Sequence, residues 1–165
     1  MQTLTSTKLA DALNRHRAAE HPPLRVLVQL NTSREEAKGG IAAGADDDIV
    51  QLATHVIRAC PRLRLVGLMT IGAAGGGEND FAALREARDR LVRVLPDDGA
   101  WGDDEGVDAD VEDGRERRRL LLSMGMSADF ELALRAGADI VRVGTSIFGG
   151  RPPKKESEAP SVEQS

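Results

Sequence analysis

At 165 residues with 41% hydrophobic side chains, the chain is of single-domain size and has enough apolar material for one core. Its 27 acidic against 22 basic residues give a formal charge of −5, and no Lys/Arg stripe is interleaved with aromatics, which argues against nucleic acid as a partner. The longest apolar runs, around Val26–Leu30 and Leu65–Ile71, are too short to cross a bilayer, and the first eight residues lack the regions of a signal peptide.

The expected setting is therefore soluble and cytoplasmic, an organelle being the alternative. Cys60 is the only cysteine, so an intrachain disulfide and a thiolate metal cluster are both ruled out. Placed before Pro61 at the end of a helical pattern, it reads as a buried small hydrophobe. His16, His21 and His55 fall on separate elements with no carboxylate at ligand spacing, and no metal site is expected.

In chain order, Thr5/Ser6 can cap a helix with Leu9, Ala10, Leu13 and Arg17 along one side, which must stop before His21-Pro22-Pro23. Leu24–Leu30 is a nearly continuous apolar strand, as a parallel sheet covered on both faces requires. Asp46–Asp48 precede an amphipathic run of Ile49, Val50, Leu52, Ala53, Val56 and Ile57, so the acids mark the positive end of a helix rather than a metal ligand set. A second buried strand spans Leu63–Ile71. The Gly-rich loop Gly72–Asn79 then leads to a helix over Asp80–Leu95 with Phe81, Leu84, Ala87, Leu91 and Val94 inward.

Residues 96–119, crowded with Asp, Glu and Gly and ending in Arg115-Glu-Arg-Arg-Arg119, read as a solvated insertion with Trp101 tucked back onto the body. Leu120–Met124 is the third strand and Ser127–Ala136 a short helix that Gly137 ends in a left-handed cap. Asp139–Gly144 is the fourth strand. Residues 152–165 carry too little apolar content to fold and are expected to be a disordered tail. Buried strands alternating with helices give an α/β architecture with a parallel sheet, open or closed. A complete (β/α)₈ barrel needs eight strands and about 250 residues, so residues 1–151 amount to half of one.

Two segments carry the chemistry, Leu122-Ser-Met-Gly-Met-Ser-Ala-Asp129 and Val141-Arg-Val-Gly-Thr-Ser-Ile-Phe-Gly149. Each is an apolar strand running into Gly, Ser and Thr before a helix, a pattern that gathers amides and hydroxyls where a helix dipole favours an anion. One such turn alone also suits an ordinary strand-to-helix connection; two in succession, with Arg142 beside them, point to a phosphorylated small molecule with an aromatic ring. Asn31 and Thr70 stand at the carboxyl ends of their strands, the side on which barrel sites are built.

These segments, with Val28-Gln-Leu-Asn-Thr-Ser33, Glu36, Lys38 and Val66-Gly-Leu-Met-Thr-Ile-Gly72, resemble in order and spacing the pyridoxal phosphate homeostasis protein family; Thr3–Ala10 resembles the start of that family's middle helix. The resemblance implies a fold similar to the N-terminal barrel of alanine racemase and a non-catalytic carrier of pyridoxal 5′-phosphate (PLP) in vitamin B6 balance. It further implies that Ser123 and Ser127 offer donors to the phosphate, that Gly144 and Thr145 provide amides, and that Arg142 faces the pyridine nitrogen. No catalytic residue is expected. The family's Schiff-base lysine lies in an N-terminal region without counterpart here, and Lys8, Lys38, Lys154 and Lys155 all sit in polar or loop contexts. The sequence accordingly reads as a C-terminal piece, and no covalent attachment of the cofactor is expected. The competing readings are a non-binding fragment that associates with a partner through an open sheet edge, and a racemase-like PLP enzyme. The latter conflicts with the lack of any tyrosine.

Overall fold

The structure is a computed structural model that describes residues 1–73, 77–96, 101–108 and 117–150. Helix α1 (Thr7–His16) starts where the Ser6 hydroxyl accepts from the Leu9 amide at 3.2 Å, satisfying one donor that a helix start leaves without an internal partner. Pro22 and Pro23 then hold the chain extended into β1 (Leu24–Asn31), whose residues Val26–Leu30 are all buried. A two-residue strand, β2 (Ile41–Ala42), precedes α2 (Asp46–Ala59). Three aspartates occupy the first turn of α2, where the helix dipole favours negative charge. Strand β3 (Leu63–Thr70) and helix α3 (Glu78–Val94) follow, the helix burying Phe81, Leu84, Ala87 and Leu91.

The remaining elements are β4 (Asp103–Asp108), β5 (Arg117–Arg119), β6 (Leu121–Met126), α4 (Phe130–Arg135), β7 (Ile140–Arg142) and α5 (Thr145–Phe148). Helix α4 ends as its sequence dictates. Gly137 takes φ +89, Gly137 N–H donates to Leu134 O at 3.0 Å, and Ala138 N–H donates to Ala133 O at 2.9 Å, the paired bonds of a left-handed glycine cap.

The main sheet has the order β2-β1-β3-β6-β7 and every pairing in it is parallel. Residues Met1–Leu4 run beside β1, with Leu27 N–H donating to Met1 O at 2.9 Å and Gln29 N–H to Leu4 O at 2.9 Å. Strands β3 and β6 approach so closely at Gly67 that a Cβ there would lie 2.3 Å from the Leu121 carbonyl oxygen. Only glycine fits such an approach.

Two apolar clusters flank the sheet. The larger joins β1, β3 and β6 to α1, α2, α3 and α4 and includes Val28, Leu52, Leu65, Phe81, Leu84 and Leu122, each buried. Burying a side chain of that size stabilises by about 1.5–3 kcal/mol, so this layer dominates folding. The smaller cluster holds only Leu27, Val66 and Met69, with Ile71 and Ile140 against it. The sheet is curled around this second side. Gln2, beside β1, reaches Ser123 of β6 at 2.8 Å, although β1 and β3 lie between their strands and flat strands are spaced about 4.8 Å apart. A parallel sheet with helices on one side, curled around a much smaller cluster on the other, is a barrel left open, as expected.

All four strands read from the sequence are present in α/β order. Their limits differ by at most two residues, and α4 begins at Phe130 rather than Ser127, because Ser127–Asp129 form a turn that Asp129 closes by accepting from the Met126 amide at 2.6 Å. Val94, expected inward, is 58% exposed at the end of α3. The expected insertion contributes an antiparallel pair, β4 with β5. Trp101 is buried as expected, its indole N–H donating to Pro96 O at 2.6 Å, while Gly102 N–H bonds Leu65 O at 2.8 Å. Residues 74–76, 97–100 and 109–116, with 151 and the expected tail 152–165, lie outside the described residues.

Candidate functional site

Because the main-sheet strands are parallel, Asn31, Thr70, Ser123 and Arg142 all fall toward one end of it, the carboxyl end. Arg142 closes β7 with its guanidinium turned back across β6 toward the end of β3. One of its terminal nitrogens donates to the Ser123 hydroxyl at 2.8 Å and the other to the Thr70 carbonyl at 2.7 Å. Ser123 is fully buried and donates in turn to the Gln2 side-chain carbonyl at 2.8 Å. Burial works against the Arg142 charge and lowers its pKa, an effect that nearby Asp129 partly offsets. Thr70 is also buried; its hydroxyl shares a 2.8 Å hydrogen bond with the Thr32 hydroxyl and accepts from the Gly72 amide at 3.2 Å.

The two strand-to-helix turns meet at Ser127. Its hydroxyl oxygen accepts from the Gly144 amide at 3.0 Å and the Ser146 amide at 3.4 Å. Gly144 caps α5 and Thr145 begins it, both exposed. Gly125 makes the first turn possible. It has φ +90, and a Cβ there would lie 2.5 Å from the Ala133 Cβ, so no side chain fits between β6 and α4. A hollow of about 470 Å³ lined by Ser127, Asp129, Phe130 and Arg135 opens beside this turn.

Ser123, Thr70 and Arg142 are thus one hydrogen-bonded group, and Ser127, Gly144 and the start of α5 another, joined along β7. Asn31 belongs to neither. Its side-chain amide donates to Glu35 O and Lys38 O, both at 2.9 Å, and its oxygen accepts from the Arg34 amide at 3.1 Å, so it shapes the loop after β1. That loop folds back and sets the Lys38 ammonium 2.9 Å from Gly72 O, just past the end of β3. Sequence spacing places Lys38 in a loop, as found, but gives no sign of this return.

Gln2 was likewise invisible in the sequence, lying 121 residues from its partner Ser123. The histidines are not all without a carboxylate neighbour. His55 has a carboxylate within reach after all, Asp11 at 2.6 Å, because α1 packs on α2 and brings together residues 44 apart. Cys60 is buried as expected, and burial together with the Asp11 charge pushes its thiol above the usual range.

Similarities to known proteins bear on this geometry. A protein from Bos taurus named pyridoxal phosphate homeostasis protein is 35% identical over 99% of this chain, and the chain spans 55% of it, about half the length of the relatives it matches. A solved structure of an unknown protein from Bifidobacterium adolescentis is 34% identical with a TM-score of 0.65, covering 89% of this chain and 51% of that one. PipY of Synechococcus elongatus PCC7942, solved with PLP bound, has a similar fold at 24% identity and a TM-score of 0.61, covering 90% of this chain and 59% of that one. The family model described as alanine racemase, N-terminal domain, matches residues 1–152. Parallel strands, outer helices and an inner polar end agree with that match, and the chain belongs to the alanine racemase N-terminal domain family.

Proposed function

We propose that the chain holds pyridoxal 5′-phosphate non-covalently at the carboxyl end of its sheet and serves intracellular PLP balance as a carrier rather than a turnover enzyme. The observation that carries the reading is the convergence of the Gly144 and Ser146 amides on the Ser127 hydroxyl oxygen. A phosphate oxygen is the same kind of acceptor, and Ser127 has a hydroxyl proton left to donate to it. Space supports the fit, since a Cβ at Gly144 would meet nothing within 4 Å. The name of the Bos taurus relative supports the choice of ligand.

Bound PLP supplies a reactive aldehyde on a pyridine ring. The residues of this chain do the rest. Ser127, Gly144 and Thr145 take the phosphate, Ser123 and Thr70 fix the Arg142 guanidinium, and Arg142 faces the ring nitrogen. A cation at that nitrogen opposes its protonation, which weakens the ring as an electron sink and keeps the cofactor intact in transit.

A spectral titration of the purified chain with PLP tests this, with pyridoxal and inorganic phosphate as the two half-ligands. The expected result is PLP binding that phosphate displaces and that Arg142→Ala weakens. Equal affinity for pyridoxal and PLP overturns the phosphate assignment. A second reading, association with a partner chain at the β7 edge, has one observation in its favour: Ile147 and Phe148, in the short helix α5 that follows β7, are 66% and 85% exposed. Failure of both PLP and phosphate to bind, with oligomers that Phe148→Ser disperses, favours it.

A further inference from the structure

Near the amino end of β3, at the opposite end of the sheet from Arg142 and Thr70, three side chains with metal-binding atoms converge. Asp11 comes from the middle of α1, His55 from the last turns of α2, and Cys60 caps α2. The His55 Nε2 lies 2.6 Å from Asp11 Oδ1, Cys60 Sγ lies 3.9 Å from the same oxygen, and all three ligand atoms are within 4.8 Å of one another. We propose that Asp11, His55 and Cys60 form a binding site for a single divalent transition-metal ion, of which Zn²⁺ suits the ligands best.

Geometry and ligand type both lead there. Zinc bonds of about 2.0–2.3 Å in a tetrahedron set ligand atoms roughly 3.3–3.7 Å apart. The distances of 2.6, 3.9 and at most 4.8 Å straddle that spacing, so rotations moving each atom by about 1 Å complete the site without moving either helix. Thiolate with imidazole selects zinc, cobalt or cadmium over magnesium or calcium, which take oxygen ligands.

The burial gradient also fits. Cys60 is buried, His55 half-buried and Asp11 exposed, so an ion would rest on a closed floor with its fourth position open to water. An ordinary ion pair between helices needs only Asp11 and His55; it does not account for the thiol directed at the same carboxylate oxygen. On binding, the Cys60 thiol gives its proton to solvent and ligates as thiolate. His55 ligates through the Nε2 lone pair with its proton on Nδ1, and the Asp11–His55 hydrogen bond is exchanged for two metal bonds.

Cobalt reports this directly. The full chain, kept reduced and metal-free, is titrated with Co²⁺. We expect one equivalent to give the visible bands of a four-coordinate ion with a sulfur-to-cobalt charge-transfer band, both abolished by one equivalent of Zn²⁺. Cys60→Ser should remove the charge-transfer band. His55→Gln, at a half-exposed position that circular dichroism can show to be folded, should weaken Co²⁺ binding by at least about tenfold. Absence of the charge-transfer band in the unaltered chain overturns the site, as does a band of undiminished affinity in both His55→Gln and Asp11→Asn.

Discussion

The Ser123 hydroxyl hands a hydrogen bond to Gln2 at 2.8 Å and receives one from Arg142 at 2.8 Å. A buried oxygen on β6 therefore ties the flank beside β1 to the last strand of the sheet. Replacing Ser123 by alanine strands the Gln2 carbonyl and one Arg142 N–H in a partly buried place, which costs about 1–3 kcal/mol. Urea unfolding should show a lower midpoint with an unchanged slope. An unchanged midpoint would mean that water takes over both groups and that the tie carries no weight.

Glycines at two positions separate steric from conformational causes. Gly67→Ala drives a Cβ to 2.3 Å from Leu121 O, so β3 and β6 must part, at a cost of about 1–3 kcal/mol or more. Gly137→Ala meets nothing within 4 Å and bears only the left-handed φ of +89, roughly 1 kcal/mol. Thermal melts of the two variants should rank in that order.

Ser127→Ala removes the acceptor on which the Gly144 and Ser146 amides converge. In the PLP titration it should lower affinity by a hydrogen bond to a charged group, about 1.5–3 kcal/mol, and leave the weak binding of pyridoxal unaltered. Equal losses for both ligands would place Ser127 outside the phosphate contact.

Lys38 is the described lysine whose ammonium reaches the carboxyl end of the sheet. Incubation with PLP followed by borohydride and peptide mass mapping should nevertheless yield no stoichiometric adduct, since Lys38, itself half-buried, has its ammonium engaged by Gly72 O at 2.9 Å. A full equivalent of reduced adduct on Lys38 would replace the non-covalent reading with a covalent one.

Cys60 is 1% exposed, and burial with the Asp11 charge holds its thiol protonated beyond the usual range. A disulfide reagent at neutral pH should label it far more slowly in the folded chain than in urea. Rapid labelling of the native chain would show that the end of α2 opens readily.

Much of this architecture was legible because its signals are local. Apolar runs at Val26–Leu30 and Leu65–Met69 announce strands buried on both faces, Ser6 and Gly137 mark helix ends, and Asp46–Asp48 sit at the dipole end they favour. The turn at Ser127 and the cation at Arg142 were legible for the same reason. Partners set by the curl of the sheet were not, which is why Gln2 and the return of Lys38 went unseen. Asp11 and His55 were missed because helix packing, rather than spacing, sets their distance. Strand β2, two residues long, is too short for any periodicity to register.

The unequal clusters on the two sides of the sheet divide the labour of the chain. Helix docking takes most of the buried apolar side chains among the described residues, whereas the side around which the sheet curls holds Leu27, Val66 and Met69 with Ile71 and Ile140 against them. A substitution on the curled side therefore disturbs few contacts while the outer scaffold keeps the fold standing, a latitude that would vanish if the same residues had to serve both tasks.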